Sequence, residues 1–441
     1  MLEKLKGINL KDAAEAARTQ VRARVQAAKP TESTTRHLVG LDIGTEYVKA
    51  LVGRVVDDEI EIIGMGRAHQ GLSDMQAGAV ADIGAVVENC DRALNDAEKQ
   101  AGVSARGAII GIAGELVQGM TTTVRIARKT PDKALDIVEV EKIIKLVQAR
   151  AEAKAKKQLS LELGGKEVDV KLVNSALVSM EIDGYTVTNP IGFQGRDMVV
   201  QLYTAFAPLV HIGALERVAE QLDLNLLAVA AEPFAVARSV IGDDQTNTMS
   251  AVLMDVGGGT TDIAVINEGG VQGTKMFGIG GRAYTRSIER GLGVEFDMAE
   301  KLKVGLSQKR VAAKQAALVE KALKKTLEVW INGVELALGE FDKLDHLPYR
   351  LLICGGGSSL DMLMDRLQDS DWQSKLPFTR KPVVQHIHPD QVVGIKDMTG
   401  TVNDHTFITA MGLLRVGLDT VQYNGTGGDT VKERIDRLLR V

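Results

Sequence analysis

Two short turns in this chain each combine an aspartate, glycine and threonine directly after an apolar run. The first turn reads Asp42-Ile43-Gly44-Thr45, and the second runs from Asp255 through Gly257, Gly258, Gly259, Thr260 and Thr261 to Asp262. An aspartate at a strand end can hold Mg²⁺ through water, glycine lets backbone N–H groups approach phosphate oxygens, and threonine hydroxyls add donors. The pattern therefore predicts two phosphate-binding turns, and its recurrence in both halves of the chain predicts a duplicated fold.

Both turns are predicted to be tips of β-hairpins, because apolar residues continue after each one, at 48–52 and at 263–266. This argues against a Rossmann dinucleotide site and against a Walker P-loop, since a helix follows the glycines in both of those. The sequence also contains no G-x-x-x-x-G-K-[S/T] motif.

Four further segments follow in a recognisable order: 227–237, 299–303, 351–360 and 410–414. Together with the two turns they resemble the superfamily of actin, sugar kinase and heat-shock chaperone ATPases. The resemblance implies an α/β, actin-like duplicated ATPase fold in which ATP and Mg²⁺ lie between two related domains. Segments 227–237 and 410–414 would be the connecting helices, 351–360 the adenosine motif, and 299–303 a contact to the nucleoside.

Within that superfamily the chain most closely resembles FtsA, the actin-like family that ties the bacterial division ring to the membrane. The specific stretches are Gly111-Ile112-Ala113-Gly114, Ile182-Asp183-Gly184-Tyr185, Asn189-Pro190-Ile191-Gly192 and Gly280-Gly281-Arg282. The resemblance covers about residues 36–419 and implies an FtsA-type inserted α+β subdomain. The residues agree with such a module, because a charged helical block at 136–157 precedes strand-like runs at 168–173, 173–182 and 198–204.

The resemblance divides the chain as follows: an N-terminal amphipathic extension (1–36), a first actin-like subdomain (37–114), the inserted subdomain (115–209), the rest of the first domain with a connecting helix (210–242), a second actin-like domain (243–405), a second connecting helix (406–423), a linker (424–430) and an amphipathic membrane-targeting helix (431–441).

The resemblance also implies roles for individual residues. Asp42 and Asp255 would organise Mg²⁺ and water, and Glu232 would order an attacking water. The phosphates would lie against Gly44, Thr45, Gly257, Gly258, Gly259, Thr260 and Thr261, and the nucleoside against Glu300, Lys303, Gly355, Gly356 and Ser358. Lys49 either approaches the phosphates or points to solvent, and Glu300 with Lys303 could instead be a solvated helical ion pair. ATP is expected to regulate assembly, with weak ATPase activity at most.

The two ends of the chain are both predicted to form amphipathic helices. At the C-terminus the apolar side is Val431, Ile435, Leu438 and Leu439, and Lys432, Arg434, Arg437 and Arg440 can meet lipid phosphates. The alternative is that this terminal helix packs against the rest of the protein. The extension at 1–36 is longer than expected for FtsA, and it forms either a docking or coiled helix or an added membrane or partner contact.

Composition agrees with a large multidomain protein: 441 residues, of which 45% are hydrophobic and 25% charged. The net charge of −5 and only 4% aromatic residues disfavour a nucleic-acid binder. Without a signal peptide or long apolar span, the protein is expected at the cytoplasmic face of the inner membrane. Cys90 and Cys354 are predicted to be buried free thiols.

The function implied by the resemblance is polymerisation at the membrane, anchoring of FtsZ-like polymers at the septum and recruitment of division proteins. A PilM-like component of a type IV pilus platform is the alternative, favoured by the unusual N-terminus. A metabolic sugar or acetate kinase would need a second substrate pocket, for which the sequence contains no motif.

Overall fold

A computed structural model describes residues 36–242, 248–369 and 371–425, with side chains to residue 421 in the last helix. The predicted N-terminal extension up to residue 35, the linker from residue 426 and the whole C-terminal amphipathic helix lie outside the described residues.

The first part of the chain alternates strands with one helix: β1 (His37–Ile43), β2 (Tyr47–Val56), β3 (Glu59–His69), β4 (Met75–Gln76), β5 (Ala79–Val80), α1 (Ile83–Ala101) and β6 (Gly107–Ile112). α1 begins where the Asp82 side chain accepts a hydrogen bond from the Ala85 amide, and it ends at Gly102 with a left-handed φ of 69°. Aspartate is a preferred N-cap and glycine a preferred end of a helix, so the sequence itself sets these limits.

Next come the inserted segment and its return to the first sheet: β7 (Gln118–Ala127), α2 (Ile137–Glu162), β8 (Val170–Ile182), β9 (Tyr185–Thr186), β10 (Asp197–Pro208), α3 (Leu209–Gln221), β11 (Asn225–Ala231) and α4 (Glu232–Ile241). Two predictions are wrong here. Residues 170–182 form one strand where two runs, 168–173 and 173–182, were expected, because β8 pairs with β10 along its length through two register shifts. Residues 227–231 form a strand rather than a helix, because β11 pairs in parallel with β6.

The last part contains β12 (Ala251–Val256), β13 (Thr261–Asn267), β14 (Gly270–Phe277), α5 (Gly281–Leu292), α6 (Phe296–Ser307), α7 (Ala313–Gly339), β15 (Arg350–Cys354), α8 (Asp361–Gln368), β16 (Val383–His386), β17 (Ile395–Asp397) and α9 (Ile408–Gly425). α9 extends through Asn424 and Gly425, so the first two residues of the predicted linker are helical. Helix ends that depend on weak local signals are commonly misplaced by this much.

The described strands repeat one pattern in two sheets. A six-stranded sheet has the order β11-β6-β1-β2-β3-β17, and a nine-stranded sheet begins β16-β15-β12-β13-β14. In each sheet an antiparallel hairpin, β1–β2 or β12–β13, is flanked by a parallel strand, β6 or β15. The duplicated fold predicted from the two turns is therefore confirmed.

The strands of the inserted segment extend the second sheet in the order β7-β10-β8-β9. The junction is short: β14 pairs with β7 only at Gly273–Met120 and Thr274–Gly119. α2 covers these strands and forms a separate apolar core with them, which includes Ile144, Met180 and Met198. The predicted α+β module is present, and its strands join the backbone ladder of the second sheet. Cys90 and Cys354 are buried free thiols, as predicted.

Candidate functional site

The tips of the two hairpins, at residues 44–46 and 257–260, lie against each other. A Cβ atom placed on Gly258 would lie 2.7 Å from Cβ of Glu46, and one placed on Gly259 would lie 2.6 Å from Oγ1 of Thr45. Such separations are shorter than van der Waals contact, so the second tip approaches the first only because its residues are glycine. The structure thus brings together the two turns that the sequence singles out.

Beneath the first tip lies a buried ion pair. Lys49 Nζ donates to Asp42 Oδ2 over 2.7 Å, with the side chains 13% and 4% exposed. The two residues are opposite each other in the β1–β2 register. Burial lowers the pKa of Lys49, but Asp42 and then Asp255 outweigh this effect, so the pKa stands above its usual value. Lys49 therefore does not point to solvent.

Beneath the second tip the pair at the equivalent register is Asp255 and Asp262. Asp255 Oδ2 accepts a hydrogen bond from the Thr409 hydroxyl of α9. Asp262 Oδ2 accepts one from the Thr260 hydroxyl over 3.3 Å, and its Oδ1 is buried without a hydrogen-bond partner among the described residues. Burial raises the pKa of both carboxyls, and Asp255 raises that of Asp262 further.

Glu232, the first residue of α4, completes this carboxylate cluster. Burial raises the pKa of Glu232 well above its usual range, and the charges of Asp42, Asp262 and Asp255 add to that effect. A Cβ on Gly111 would lie 2.9 Å from Glu232 Oε1, so the side chain lies directly on β6. The structure thus places Glu232 beside the two hairpins, and the helix begins at this residue rather than at 227.

The carboxylate cluster fits a bound cation. Mg²⁺ is commonly held by one or two carboxylates together with water and substrate phosphates. Within the described ranges no group of three or more His, Cys, Asp or Glu side chains is placed to hold a metal ion alone. Water and phosphate would therefore have to supply the remaining ligands, and the unpartnered Oδ1 of Asp262 would be stabilised by the added positive charge.

The region predicted to contact the nucleoside is built around Lys303. Its ammonium group lies 2.7 Å from Glu300 Oε2 and donates to the Gly281 carbonyl over 3.0 Å and to Thr285 Oγ1 over 2.8 Å. The Gly281 amide in turn donates to Gly257 O over 2.9 Å. Glu300 and Lys303 are thus not a solvated helical pair, because they are largely buried and connect α6 to the tip of the second hairpin.

The segment predicted to be the adenosine motif runs from β15 through a tight turn into α8. Gly355 has a φ of +83°, and a Cβ there would lie 2.0 Å from Asp255 Oδ1, so this position requires glycine. Ser358 is fully buried and its hydroxyl donates to Gly355 O over 2.7 Å. Ser358 therefore holds the turn together, while Gly356 is exposed.

Arg282 connects the two halves next to the tips. Its Nε donates to Glu46 Oε2 over 2.7 Å, and its terminal nitrogens donate to the carbonyls of Gly71 over 3.2 Å and Leu72 over 3.3 Å. Glu46 also contacts His69 Nε2 at 2.9 Å. Burial raises the pKa of Glu46, but Arg282 and His69 lower it by more, so the carboxylate stays charged.

Three residues of this site were missed as functional residues. Asp262 lies opposite Asp255 in the β12–β13 register. Pairing the residues on either side of a four-residue turn at 257–260 would have identified it. Thr409 is 154 residues from Asp255 and carries no local signal. Arg282 is part of the Gly280-Gly281-Arg282 stretch, but nothing in the sequence shows that its side chain reaches Glu46.

The repeated sheet order and the facing hairpins define an actin-like ATPase fold. The solved structure of the PilM-PilN type IV pilus biogenesis complex contains a similar chain, with a TM-score of 0.63 and 15% identity over 86% of this chain and 98% of that one. At this identity the likeness shows the fold alone.

The predicted resemblance to FtsA is confirmed by sequence comparison. The family model of cell division protein FtsA matches residues 252–412. The chain is 25% identical to cell division protein FtsA of Bacillus subtilis over 358 residues, which are 75% of this chain and 76% of that protein. It is 24% identical to FtsA of Pseudomonas aeruginosa over 405 residues, which are 86% and 89% of the two chains.

Proposed function

We propose that this chain is an actin-like cell division protein that binds ATP and Mg²⁺ between its two hairpins and polymerises at the cytoplasmic face of the membrane. There it would anchor FtsZ-like polymers and recruit division proteins, as the similarity to FtsA suggests. The observation that carries the nucleotide part is the contact between the two glycine tips above a buried cluster of carboxylates and one lysine.

The tips supply the groups that a triphosphate needs. Thr45 and Thr260 carry hydroxyl donors, and the glycines leave room for phosphate oxygens beside the backbone. Lys49 adds a positive charge that Asp42 holds in place. Mg²⁺, when bound, would supply charge neutralisation between Asp42, Asp255 and the phosphates.

We connect slow turnover with the surroundings of Glu232. Burial and the neighbouring carboxylates raise its pKa, which favours the protonated carboxyl group. A carboxyl group in this state is a poor base for activating water. ATP would then act mainly as a bridge that favours the closed, assembly-competent form.

Attachment to the membrane is assigned to the C-terminal helix at 431–441. No helix in the described part of the chain is long and apolar enough to span a bilayer. Burial of four aliphatic side chains would contribute on the order of several kcal/mol before ordering costs, and each basic side chain about 1. One helix binds weakly at that level, so firm attachment would come from the many copies in a polymer.

The test is sedimentation of the full-length protein with acidic-lipid vesicles, with and without ATP-Mg²⁺, followed by electron microscopy of the pellets. Full-length protein should pellet and form filaments on lipid in ATP-Mg²⁺, and a chain ending at Gly428 should stay in the supernatant. Leu438→Gln, on the apolar side, should weaken pelleting, whereas Asp436→Gln, on the polar side, should not.

A separate titration with a fluorescent ATP analogue and Mg²⁺ examines the nucleotide site without lipid. Failure to bind the analogue would contradict the nucleotide part of the proposal. Binding of the analogue without lipid binding or assembly would contradict the membrane part and favour the PilM-like alternative, for which the structure offers only a shared fold.

A further inference from the structure

The junction between β11 and α4, at Ala231–Glu232, is held from outside by the inserted segment. The Ala231 amide donates to Asn174 Oδ1 of β8 over 2.8 Å, and this hydrogen bond is buried. Neither Ala231 nor its neighbours provide a side-chain cap for α4. Asn174 therefore fixes the residue that directly precedes Glu232.

A second contact reaches the first turn of α4. The ring of Tyr203, from β10, stacks on the ring of Phe234 with a centroid separation of 5.5 Å and an interplanar angle of 3°. Tyr203 is fully buried, and its hydroxyl lies 3.3 Å from Thr274 Oγ1 of β14. One side chain of the inserted segment thus contacts both α4 and the second sheet.

Glu232 lies between these two contacts in the chain. Its carboxylate rests on Gly111 of β6, and the Asn174 and Tyr203 contacts hold the main chain on either side of it. A shift of β8 or β10 would therefore move Glu232 relative to Asp42 and Asp255, the carboxylates that it faces. Misplacement of about 1 Å in such a group is enough to change a reaction rate substantially.

We infer that Asn174 and Tyr203 are positioning residues for Glu232, through which the inserted segment controls the chemical step of ATP turnover without contacting the nucleotide. This inference rests on the proposed ATP site.

The test compares full-length variants in two assays: the affinity for ATP-Mg²⁺, and phosphate release in a single turnover at saturating ATP. Asn174→Ala and Tyr203→Leu should slow phosphate release by about tenfold and leave the affinity nearly unchanged. Tyr203→Phe keeps the stacked ring and should retain most of the rate.

A structural control separates positioning from loss of stability. Met180→Ala removes a buried side chain of β8 whose core does not include the α4 junction, so it should lower the unfolding temperature without changing the rate. Equal rates for Asn174→Ala, Tyr203→Leu and Met180→Ala would overturn the inference while leaving ATP binding intact. Absence of ATP binding in the unaltered chain would instead overturn the proposed function.

If the unaltered chain binds ATP but releases no measurable phosphate in a single turnover, the chemical step that the inference concerns is absent, and the inference is overturned while the proposed ATP site stands.

Discussion

The two hairpins, β1–β2 and β12–β13, share a strand register but differ in charge. In the first, Asp42 is opposite Lys49, and in the second the same register places Asp262 opposite Asp255. The facing pair in the first hairpin is therefore neutral, whereas the second hairpin places two carboxyls opposite each other, and the pKa of each is raised. The two hairpins thus share a register, but the first faces its carboxylate with a lysine and the second with another carboxyl.

The largest expected effect comes from removing Lys49, the cation that faces Asp42 in the first hairpin. Lys49→Met should destabilise the protein by about 3–5 kcal/mol, because Asp42 is left buried and unpaired beside further carboxylates. Urea unfolding at pH 7 measures the change. Lys171→Met is the matched control, since Lys171 pairs with Glu216 at the surface and should cost less than about 1 kcal/mol. Similar losses of stability for both variants would show that the buried Asp42–Lys49 pair contributes no more than a surface pair.

The close approach of the two tips predicts the next largest effect. Gly258→Ala would force Cβ against Glu46 and should cost about 1–3 kcal/mol through overpacking. Gly257→Ala is the control, because a Cβ there comes no closer than 3.4 Å to its neighbours. Thermal unfolding and titration with the fluorescent ATP analogue should both separate the two variants. Equal behaviour would mean that the tips are not in contact in solution.

The paired carboxyls of the second hairpin predict an unusual pH dependence. A carboxyl whose pKa is raised on folding binds protons more readily in the folded state, so its contribution to stability falls as the pH rises above the ordinary aspartate value of 3.8. Asp262→Asn should therefore reduce the loss of stability between pH 5 and pH 8 in the absence of nucleotide. Unfolding free energies at several pH values check this, and an unchanged slope would contradict the raised pKa.

The smallest effect should come from Thr409, which supports Asp255. Thr409→Val keeps the shape of the side chain but removes the hydroxyl. It should destabilise the protein by about 1 kcal/mol, because the buried Asp255 carboxyl loses a hydrogen-bond donor. Thr409→Ser keeps the donor and should restore most of the stability in urea unfolding. A destabilised serine variant would point to packing rather than to the hydrogen bond.

How much of the structure can be predicted from the sequence depends on whether the pattern that indicates an element lies within that element. Both hairpins and their glycine tips follow from turn chemistry and apolar runs, and they were predicted, as was a helical block that begins near residue 136. Residues 227–231 were not, because an Ala- and Val-rich run suits either helix or buried strand until the partner β6 is known. Thr409 and Arg282 reach their partners across the fold, which no pattern in one segment can indicate.

The junction at Gly119 and Thr274 has a mechanical consequence. In chain order the inserted segment leaves and re-enters the first sheet, but its strands continue the second sheet to a width of about 40 Å at 4.8 Å per strand. The backbone ladder between the inserted strands and the second sheet consists of two residue pairs, and the Asn174–Ala231 and Tyr203–Phe234 contacts reinforce it. A force that pulls on the outer strands would therefore load these side-chain contacts together with the short ladder.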